Sequence, residues 1–329
     1  MISPKRILVT GGAGFIGSAL VWALNRQGLT DILVTDFPAD TEKMRNLTGL
    51  KYRTLLDAAE FRERLMKDPE AYGSFTHVFH LGACSSTTET NEAYLLDNNF
   101  NVTRELAEWS LKRGAKFVYA SSAATYGDGL DGMSDMADIG VLKPLNAYAR
   151  SKQMFDLFAR DHGWFDRIIG LKYFNVFGPN EDHKGEMRSL VNKAYHEVMR
   201  TGKITLFKSH RQDFAHGEQK RDFLYVKDAV DMTLHLGLKL GIPGGLYNLG
   251  SGEANSWNSL ATAIFRSLEL PPAIEYVEMP EILREKYQYY TRADITKLRA
   301  TNYTRPITGL PDAVSDYVRN YMEPNARLK

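Results

Sequence analysis

A glycine-rich loop with GxxGxxG spacing, set between a strand-like run and a helix-like run, constrains the fold of this chain of 329 residues most. The strand-like run is Ile7–Thr10 and the helix-like run is Ser18–Arg26. Gly11 allows a tight turn, Gly14 lets the backbone approach a ligand, and Gly17 permits close helix–strand packing. Such a loop can serve only as a turn. Because the helix start presents unpaired N–H groups and a positive dipole end, however, this context predicts a dinucleotide site.

Asp36 ends the next strand-like run, about 20 residues beyond the loop, where a carboxylate that binds the ribose is expected. Its charge favours NAD, because a carboxylate repels the 2′-phosphate of NADP. Lys43 and Arg45 follow a few residues later and either bind such a phosphate or form a solvated helix face. The charges alone therefore leave both cofactors open.

Short β-branched or aromatic runs alternate with helix-like stretches along the first half of the chain. The strand-like runs are Ile7–Thr10, Ile32–Thr35, His77–Leu81, Phe117–Ala120 and Ile168–Tyr173. The helix-like stretches between them include Ser18–Arg26, Arg104–Arg113 and Ser151–Ala159. This alternation predicts an α/β fold with a Rossmann-type, doubly wound parallel sheet covered on both faces.

The periodicity weakens after Pro179, where charged residues crowd the segment from 180 to 220. Strand-like signals return at Phe223–Val226 and Leu246–Leu249. We therefore expect residues 1–179 to form a dinucleotide-binding domain that is completed by about 221–275. Residues 180–220 and about 276–329 are expected to form a smaller α+β substrate-binding lobe.

A serine, a tyrosine and a lysine occur in an order that suggests catalysis. Ser122 ends a strand-like run, and Tyr148 and Lys152 stand one helical turn apart on one face. A phenol with a pKa near 10 is a poor base at neutral pH unless a cation such as Lys152 favours its phenolate. Tyr-x-x-x-Lys alone is usually an ordinary helix surface. Combined with the glycine loop, the pattern predicts that Ser122 and Tyr148 hold the substrate oxygen between them.

Composition excludes several classes of function. The formal net charge of +1 offers no electrostatic basis for binding nucleic acid or an anionic membrane. No apolar run approaches the roughly 20 residues of a membrane span, and the first residues lack a signal-peptide hydrophobic region. The single cysteine, Cys84, fits a reducing compartment, so we expect a cytoplasmic protein. The histidines follow no metal-binding spacing, so no metal site is expected.

Two further segments point to a known superfamily. Lys220–Asp228 reads KRDFLYVKD, and Tyr173–Pro179 reads YFNVFGP. With the glycine loop and the trio, they resemble the extended short-chain dehydrogenase/reductase superfamily of nucleotide-sugar enzymes, over essentially the whole chain.

Other stretches resemble one family in particular, the ADP-L-glycero-D-manno-heptose 6-epimerases. They are HLGACSSTTE at His80–Glu89, LDNN at Leu96–Asn99, GPNEDHKG at Gly178–Gly185, and Tyr287–Thr291 with Ala293–Asp294. The resemblance implies a nucleotide-activated sugar as substrate, a role in making lipopolysaccharide core heptose, and tightly held NADP. It also suggests a homo-oligomer, specifically a pentamer.

The chemistry of inverting a sugar carbon can be argued independently of the family resemblance. A secondary alcohol carbon has a C–H bond far too weakly acidic to be inverted by deprotonation. Transient oxidation solves this, because hydride can leave to a nicotinamide and return to the opposite face. Two acid/base groups or a rotating intermediate are then needed. The resemblance implies Tyr148 and Lys184 for these groups, with Lys152 orienting the nicotinamide ribose. Without it, Lys184 would be interpreted as a solvent- or phosphate-facing lysine.

The resemblance also implies which residues line the site. Those expected at the cofactor are Gly11, Gly14, Phe15, Ile16, Gly17, Asp36, Phe37, Lys43, Leu81, Gly82, Ala83, Cys84, Ser85, Asn98, Lys152, Val176 and Lys184. Those expected at the sugar nucleotide are Asn175, Glu186, Lys193, Phe207, Arg221 and Tyr287. Arg221 suits a diphosphate, because guanidinium pairs bidentately with phosphate oxygens.

Two features depart from the family pattern. Glu186 stands where a small hydroxyl residue is expected, and the stretch Ser209–Gln219 is longer than expected. Both leave the sugar and the nucleotide open. The alternatives are an NAD-dependent nucleotide-sugar 4-epimerase, a 4,6-dehydratase and a non-catalytic nucleotide-binding homologue. A dehydratase ranks lower because Ala123-Ala124-Thr125 lacks its acid pair, and the intact trio argues against a pure binder.

Overall fold

The computed structural model describes residues 5–129, 132–284 and 287–329, apart from the side chains at positions 282 and 283. Its strands are β1 (Ile7–Thr10), β2 (Ile32–Asp36), β3 (Thr54–Asp57), β4 (His77–His80), β5 (Lys116–Ser122), β6 (Ile168–Tyr173), β7 (Asn175–Phe177), β8 (Ile204–Phe207), β9 (Lys220–Arg221), β10 (Phe223–Tyr225), β11 (Gly245–Leu249), β12 (Asn255–Ser256) and β13 (Ile274–Val277).

The α-helices are α1 (Phe15–Arg26), α2 (Thr41–Met44), α3 (Ala58–Lys67), α4 (Glu92–Leu95), α5 (Val102–Lys112), α6 (Ala147–Asp161), α7 (Leu190–Thr201), α8 (Val226–Leu238), α9 (Trp257–Ser267), α10 (Glu281–Arg284), α11 (Thr296–Ala300) and α12 (Leu310–Tyr317). Short 3₁₀ segments lie at Arg45–Leu47, Ala123–Tyr126, Ile139–Val141, Trp164–Asp166 and Asp182–Met187, and π-helical turns at Leu96–Asn101 and Val318–Met322.

Seven strands form one parallel sheet in the order β11-β6-β5-β4-β1-β2-β3. Every residue of β1, β2, β6 and β11 is buried, as expected for strands covered on both faces. The predicted Rossmann-type sheet is confirmed. The edge strand β3 did not appear among the sequence predictions, because it is only half-buried and its run TLLD is short.

The two faces of the sheet carry separate hydrophobic clusters. Along β1, Ile7 and Val9 belong to one cluster and Leu8 to the other, because successive strand side chains point to opposite faces. The first cluster is completed by α1 and α8, which pack against each other, and the second by α3, α5 and α6. Helices therefore cover both faces, as in a doubly wound fold.

The remaining elements assemble beside the carboxyl ends of the strands. β8 pairs in parallel with β13, and α9 packs against both α7 and α12. β7 pairs with β10, directly after β6. The predicted domain boundary near residue 276 falls inside β13. The division into two domains stays a prediction.

Candidate active site

A cavity of about 1500 Å³ opens at the carboxyl ends of β1, β2, β4, β5 and β6. In open α/β sheets, this edge is where ligands bind. The cavity wall includes most of the predicted site residues, namely Gly11, Gly14, Phe15, Ile16, Gly17, Asp36, Phe37, Lys43, Leu81, Gly82, Ala83, Cys84, Ser85, Asn98, Ser122, Tyr148, Lys152, Asn175, Val176, Lys184, Lys193, Phe207 and Tyr287. The fold thus gathers segments from both halves of the chain around one space.

The glycine loop packs so tightly that side chains would not fit at two of its positions. Gly11 has φ of +65°, and a Cβ there would lie 2.6 Å from the Cα of Gly82. A Cβ on Gly17 would lie 2.0 Å from the carbonyl oxygen of Gly11. These contacts bring the loop, α1 and the end of β4 together without side chains between them. The result is a backbone cradle of the kind that receives a phosphate.

The N-terminus of α1 is open toward this cradle. Its N-cap residue, Gly14, provides no side-chain hydrogen bond, and the first turn of the helix contains no acidic residue. The first N–H groups of the helix and the positive end of its dipole are therefore left for an anion. This twelve-residue helix fits the pyrophosphate of a dinucleotide at its start.

Asp36 lies at the end of β2 and is nearly fully buried. Its Oδ2 accepts hydrogen bonds from the N–H groups of Ala13 (2.9 Å) and Gly14 (3.2 Å). Its Oδ1 accepts from the N–H of Phe37 at 2.8 Å and forms an ion pair with Lys43. The carboxylate thus orders the glycine loop, and its predicted contact with a ribose stays a prediction.

The same corner of the cavity contains a histidine that the sequence analysis did not select. The Nδ1 of His183 lies 3.2 Å from the side-chain nitrogen of Asn46, which also donates to the carbonyl oxygens of Ala13 and Asn180, each at 3.0 Å. Burial lowers the pKa of His183, and the nearby Lys43 lowers it further. His183 belongs to the GPNEDHKG segment, so that segment was the available signal.

The end of β5 and the first turns of α6 form what we call the strand-edge wall, with Ser122, Tyr148 and Lys152. Asn146 caps α6 by accepting a hydrogen bond from the N–H of Ala149 at 2.8 Å. Lys152 is buried and donates from Nζ to the carbonyl oxygen of Ala120 at 2.9 Å. The three predicted catalytic side chains therefore lie on one side of the cavity.

Burial sets the protonation of this wall. It raises the pKa of Tyr148, and a hydrogen bond with Ser122 opposes that rise. It lowers the pKa of Lys152 to about 8, against the attraction of the Asp156 carboxylate. At neutral pH the tyrosine is therefore a neutral phenol and the lysine is mostly a cation.

The 3₁₀ segment Asp182–Met187, which we call the turn wall, carries Lys184. The Nζ of Lys184 lies 5.3 Å from the centre of the Phe15 ring, at the first residue of α1. Burial lowers the pKa of Lys184, and Glu181 acts in the opposite direction. Lys184 thus borders the same cavity as Tyr148 and also stands near the open helix start.

Glu186 and Arg221 are two predicted substrate residues that the structure does not bring onto the cavity wall. Glu186 is exposed, and its carbonyl oxygen accepts a hydrogen bond from Nζ of Lys193 at 3.2 Å. The buried guanidinium of Arg221 lies 5.0 Å from the Tyr287 ring centre and 5.7 Å from that of Trp257. Tyr287 and Trp257 both line the cavity, so Arg221 contacts the lining without being part of it.

Several lining residues were missed by sequence reasoning. Trp257 donates from Nε1 to the Tyr287 hydroxyl at 2.8 Å, and Gln288 bonds the carbonyl oxygen of Gly127. Arg62 pairs with both Asp97 and Glu105 at another part of the wall. Gln288 belongs to the segment Tyr287–Thr291 and Asp97 to the segment Leu96–Asn99, so those two segments were the available signal. No local spacing links Trp257 or Arg62 to a motif, so only the folded chain reveals them.

The cavity wall also includes Cys84, a free and half-buried thiol whose backbone N–H donates to the Asn99 side chain at 2.8 Å. Among the described residues, no group of three histidine, cysteine or acidic side chains is arranged to hold a metal ion. None of the helices in the described ranges is long and apolar enough to span a membrane.

The sheet order, the glycine cradle and the Ser-Tyr-Lys wall together define a nucleotide-binding enzyme of the extended short-chain dehydrogenase/reductase type. The profile of the NAD dependent epimerase/dehydratase family matches residues 7–250. The ADP-L-glycero-D-manno-heptose-6-epimerase of Nitratidesulfovibrio vulgaris is 46% identical over 316 residues, which cover 96% of this chain and 97% of the relative. That of Fusobacterium nucleatum is 42% identical over 326 residues, covering 96% and 98%.

Solved structures agree with this assignment. The crystal structure of the Helicobacter pylori ADP-L-glycero-D-manno-heptose-6-epimerase is 27% identical, covers 96% of each chain and superimposes with a TM-score of 0.79. The Thermus thermophilus UDP-glucose 4-epimerase in complex with NAD is 25% identical, covers 97% of this chain and 99% of its own, with a TM-score of 0.76. The chain belongs to the NAD dependent epimerase/dehydratase family, and within it to the ADP-L-glycero-D-manno-heptose-6-epimerases.

Proposed function

We propose that this protein interconverts ADP-D-glycero-D-manno-heptose and ADP-L-glycero-D-manno-heptose by inverting C6″, a step in making the heptose of lipopolysaccharide core. The observation that carries this proposal is the meeting of Ser122, Tyr148 and Lys152 with the glycine cradle around one cavity. The family relationship supplies the identity of the sugar nucleotide. The same cavity extends to Phe207, Lys193 and Tyr287, which gives the sugar nucleotide a place beside the trio.

The cavity suits a nicotinamide dinucleotide, because the start of α1 has no side-chain cap and the backbone approaches closely at Gly11, and both features favour phosphate binding. When bound, the nicotinamide supplies a hydride acceptor and donor for the sugar carbon. Lys152 is assigned to the nicotinamide ribose. We infer that the cofactor is NADP, because Lys43 and His183 place nitrogen groups beside Asp36. In this assignment Lys43 is shared between the Asp36 carboxylate and the 2′-phosphate.

The proton chemistry follows from the opposite directions of two pKa shifts. Burial favours the neutral phenol of Tyr148 and the neutral amine of Lys184. A neutral amine can accept a hydroxyl proton while the sugar is oxidised, and a phenol can return one while it is reduced. Ser122, within hydrogen-bonding reach of Tyr148, would hold the same sugar oxygen. One proton leaves the substrate and one returns, and proton exchange with solvent then restores the Lys184 amine and the Tyr148 phenol for the next turnover.

The test is to incubate the purified protein with ADP-D-glycero-D-manno-heptose without added cofactor and to follow C6″ by NMR. We expect a mixture of both epimers. Turnover of a UDP-hexose in place of the ADP-heptose would transfer the proposal to a nucleotide-sugar 4-epimerase, the activity named for several proteins of similar fold. Bound nicotinamide without turnover of any sugar nucleotide would identify a non-catalytic homologue.

The cofactor and the assembly have separate tests. Denaturing the protein and weighing the released dinucleotide distinguishes NADP from NAD by the mass of one phosphate, and we expect NADP. We also propose that the protein forms a homo-oligomer, which light scattering on the purified protein measures directly. The lone Cys84 remains the argument for a reducing compartment, the cytoplasm.

A further inference from the structure

An ion pair between Asp156 and Lys172 lies directly beneath the strand-edge wall. The carboxylate of Asp156 and the ammonium of Lys172 are 2.8 Å apart, and their side chains are 0% and 1% exposed. Removing two charges from water is costly, so a pair this deep is kept only where its geometry is well satisfied. We therefore expect this buried pair to have a structural or functional role.

Three side chains from two neighbouring strands bind the Asp156 carboxylate. The Tyr119 hydroxyl donates to Oδ1 at 2.7 Å, and the Ser121 hydroxyl donates to Oδ2 at 2.7 Å. Lys172 donates to Oδ2 and also to the Thr125 hydroxyl at 2.6 Å. The carboxylate thus ties α6 to β5 and to β6, and Lys172 extends the network to the turn that follows β5.

The position of Asp156 along α6 connects this pair to the catalytic side chains. Tyr148, Lys152 and Asp156 follow one another at intervals of four residues, so they form a single stripe on the helix. Ser121, which binds Asp156, directly precedes Ser122 and is opposite Lys172 in the sheet register. The same carboxylate therefore contacts the strand that carries Ser122 and the helix that carries the other two residues.

We propose that Asp156 is a positioning residue for the reaction: its buried carboxylate locks α6 to the end of β5 and supplies a negative charge that stabilises the Lys152 ammonium. The proposal rests on the proposed function, because it concerns the same trio. The charged or titratable groups that face Asp156 or Lys152 come from each element packed around them. They are His80 on β4, Cys84 after β4, Tyr119 on β5, Tyr126 after β5, Lys172 on β6 and Tyr148 on α6 itself.

The titration of Lys152 in the purified protein tests this proposal without any substrate. Protein labelled with ¹³C at the lysine Cε is titrated by NMR, and the Lys152 signal is identified by its absence from Lys152→Arg. Burial lowers the pKa of Lys152 to about 8 in the unchanged protein, against the opposing effect of Asp156. The double variant Asp156→Asn/Lys172→Met keeps the burial of Lys152 and loses the stabilising charge of Asp156. Lys172 is not one of the groups that shift the pKa of Lys152, so we expect the midpoint to fall by about one pH unit.

The double variant is used because it removes both charges of the pair together. Asp156→Asn alone leaves Lys172 as an unpaired buried cation and can fail to fold. Where that single variant folds, the midpoint falls at least as far as in the double variant. Tyr119→Phe is the matched control, because it removes one hydrogen bond to Asp156 and keeps both charges. We expect it to lower stability and to leave the Lys152 midpoint unmoved.

A folded double variant whose Lys152 signal titrates like that of the unchanged protein would overturn the proposal. In the activity assay, the alkaline limb of kcat should move toward lower pH by the same amount, with KM unchanged, because fewer molecules carry the Lys152 ammonium. Absence of turnover in the unchanged protein would refute the proposed reaction, whereas the NMR midpoint would still decide the influence of Asp156.

Discussion

The cavity has two walls that carry proton-handling groups, and they are held in place by different means. The strand-edge wall follows from the register of β5 and β6 and from the buried pair of Asp156 and Lys172. The turn wall is a 3₁₀ segment with positive φ at Gly185. The backbone hydrogen bonds of a sheet hold neighbouring strands in one register, whereas the position of a short turn depends on a few side-chain hydrogen bonds.

The turn wall depends most on Glu181. Its fully buried carboxylate accepts hydrogen bonds from the N–H of Gly178 at 3.2 Å, and from the N–H and hydroxyl of Ser189 at 2.6 and 2.7 Å. Arg327, far along the chain, adds an ion pair with Asp182 at 2.9 Å. Glu181 thus closes the ends of the segment that carries Lys184. The comparison suggests that the strand-edge wall is pre-organised and that the turn wall is more easily shifted.

The largest expected effect is on the strand-edge wall. Tyr148→Phe removes the phenolic hydroxyl and preserves the ring, so general acid catalysis is lost and packing is kept. We expect epimerisation to fall by about 10³-fold, within the range of such groups, while the dinucleotide stays bound. NMR of the C6″ proton measures the rate, and mass analysis of the released cofactor is the control. Unchanged turnover would remove Tyr148 from its proposed role.

Acid stability tests the anchoring of β4, the strand that pairs with β5 of the strand-edge wall. His80, at the end of β4, is bonded to the hydroxyls of Thr10 at 2.7 Å and Thr103 at 2.9 Å, and burial lowers its pKa to about 3. The unfolded chain therefore binds a proton below pH 6.5 that the folded chain does not accept until about pH 3. As the pH falls from 6.5 to 4, this difference lowers the free energy of unfolding by about 3 kcal/mol.

Urea unfolding at a series of pH values measures this loss, and His80→Gln is the comparison. We expect the variant to be less stable at pH 7, because the bonds to the threonines are disturbed, and to lose less stability on acidification. Equal pH dependence of the two proteins would show that His80 titrates as an ordinary histidine.

Two substitutions at Lys184 distinguish proton transfer from phosphate binding on the turn wall. Lys184→Gln should lower kcat by about 10²-fold if the amine transfers a proton. Lys184→Arg preserves the positive charge but cannot give up its proton near neutral pH, so it should be as inactive as the glutamine variant. Near-normal activity of the arginine variant would instead assign Lys184 to the dinucleotide phosphates beside α1.

The smallest of these effects concerns Glu181. Glu181→Gln keeps the size of the side chain but replaces one carboxylate oxygen with an NH2 group, which cannot accept a hydrogen bond. The three hydrogen bonds that Glu181 accepts, including that from the Ser189 N–H, therefore cannot all be kept. We expect a stability loss of about 1–3 kcal/mol, and a rise in KM of roughly tenfold because the turn wall shifts. Thermal unfolding and steady-state kinetics measure the two effects. Ser189→Ala, which removes only the hydroxyl bond, should show a smaller change in both.

Most of the framework of the site could be predicted from local sequence. The glycine spacing, the alternation of strand-like and helix-like runs, and the interval between Tyr148 and Lys152 are all short-range patterns with direct structural meaning. The predicted strands that form the central sheet agree with the observed ones to within a few residues. The edge strand β3 escaped because partial burial weakens the hydrophobic pattern on which such a prediction depends.

The long-range contacts could not be predicted from short-range sequence patterns. The contacts of Arg221 with the rings of Tyr287 and Trp257, and that of His183 with Asn46, involve residues brought together from separate segments. The exposure of Glu186 likewise depends on how the segment Asp182–Met187 folds against the rest of the chain. No spacing along the chain reports such contacts. Their roles at the substrate therefore stay predictions that the variants above can address.

The amino-acid sequence by itself determined the class of fold, the cradle for a dinucleotide and the order of the catalytic trio, because these depend on residues within a turn or two of one another. Only the tertiary structure decided that Asp36 orders the glycine loop through two N–H groups, that Asp156 and Lys172 pair beneath Ser122, and that Glu181 closes the turn wall. The reason is physical: hydrogen bonds and ion pairs between distant segments form only after the sheet has brought those segments together.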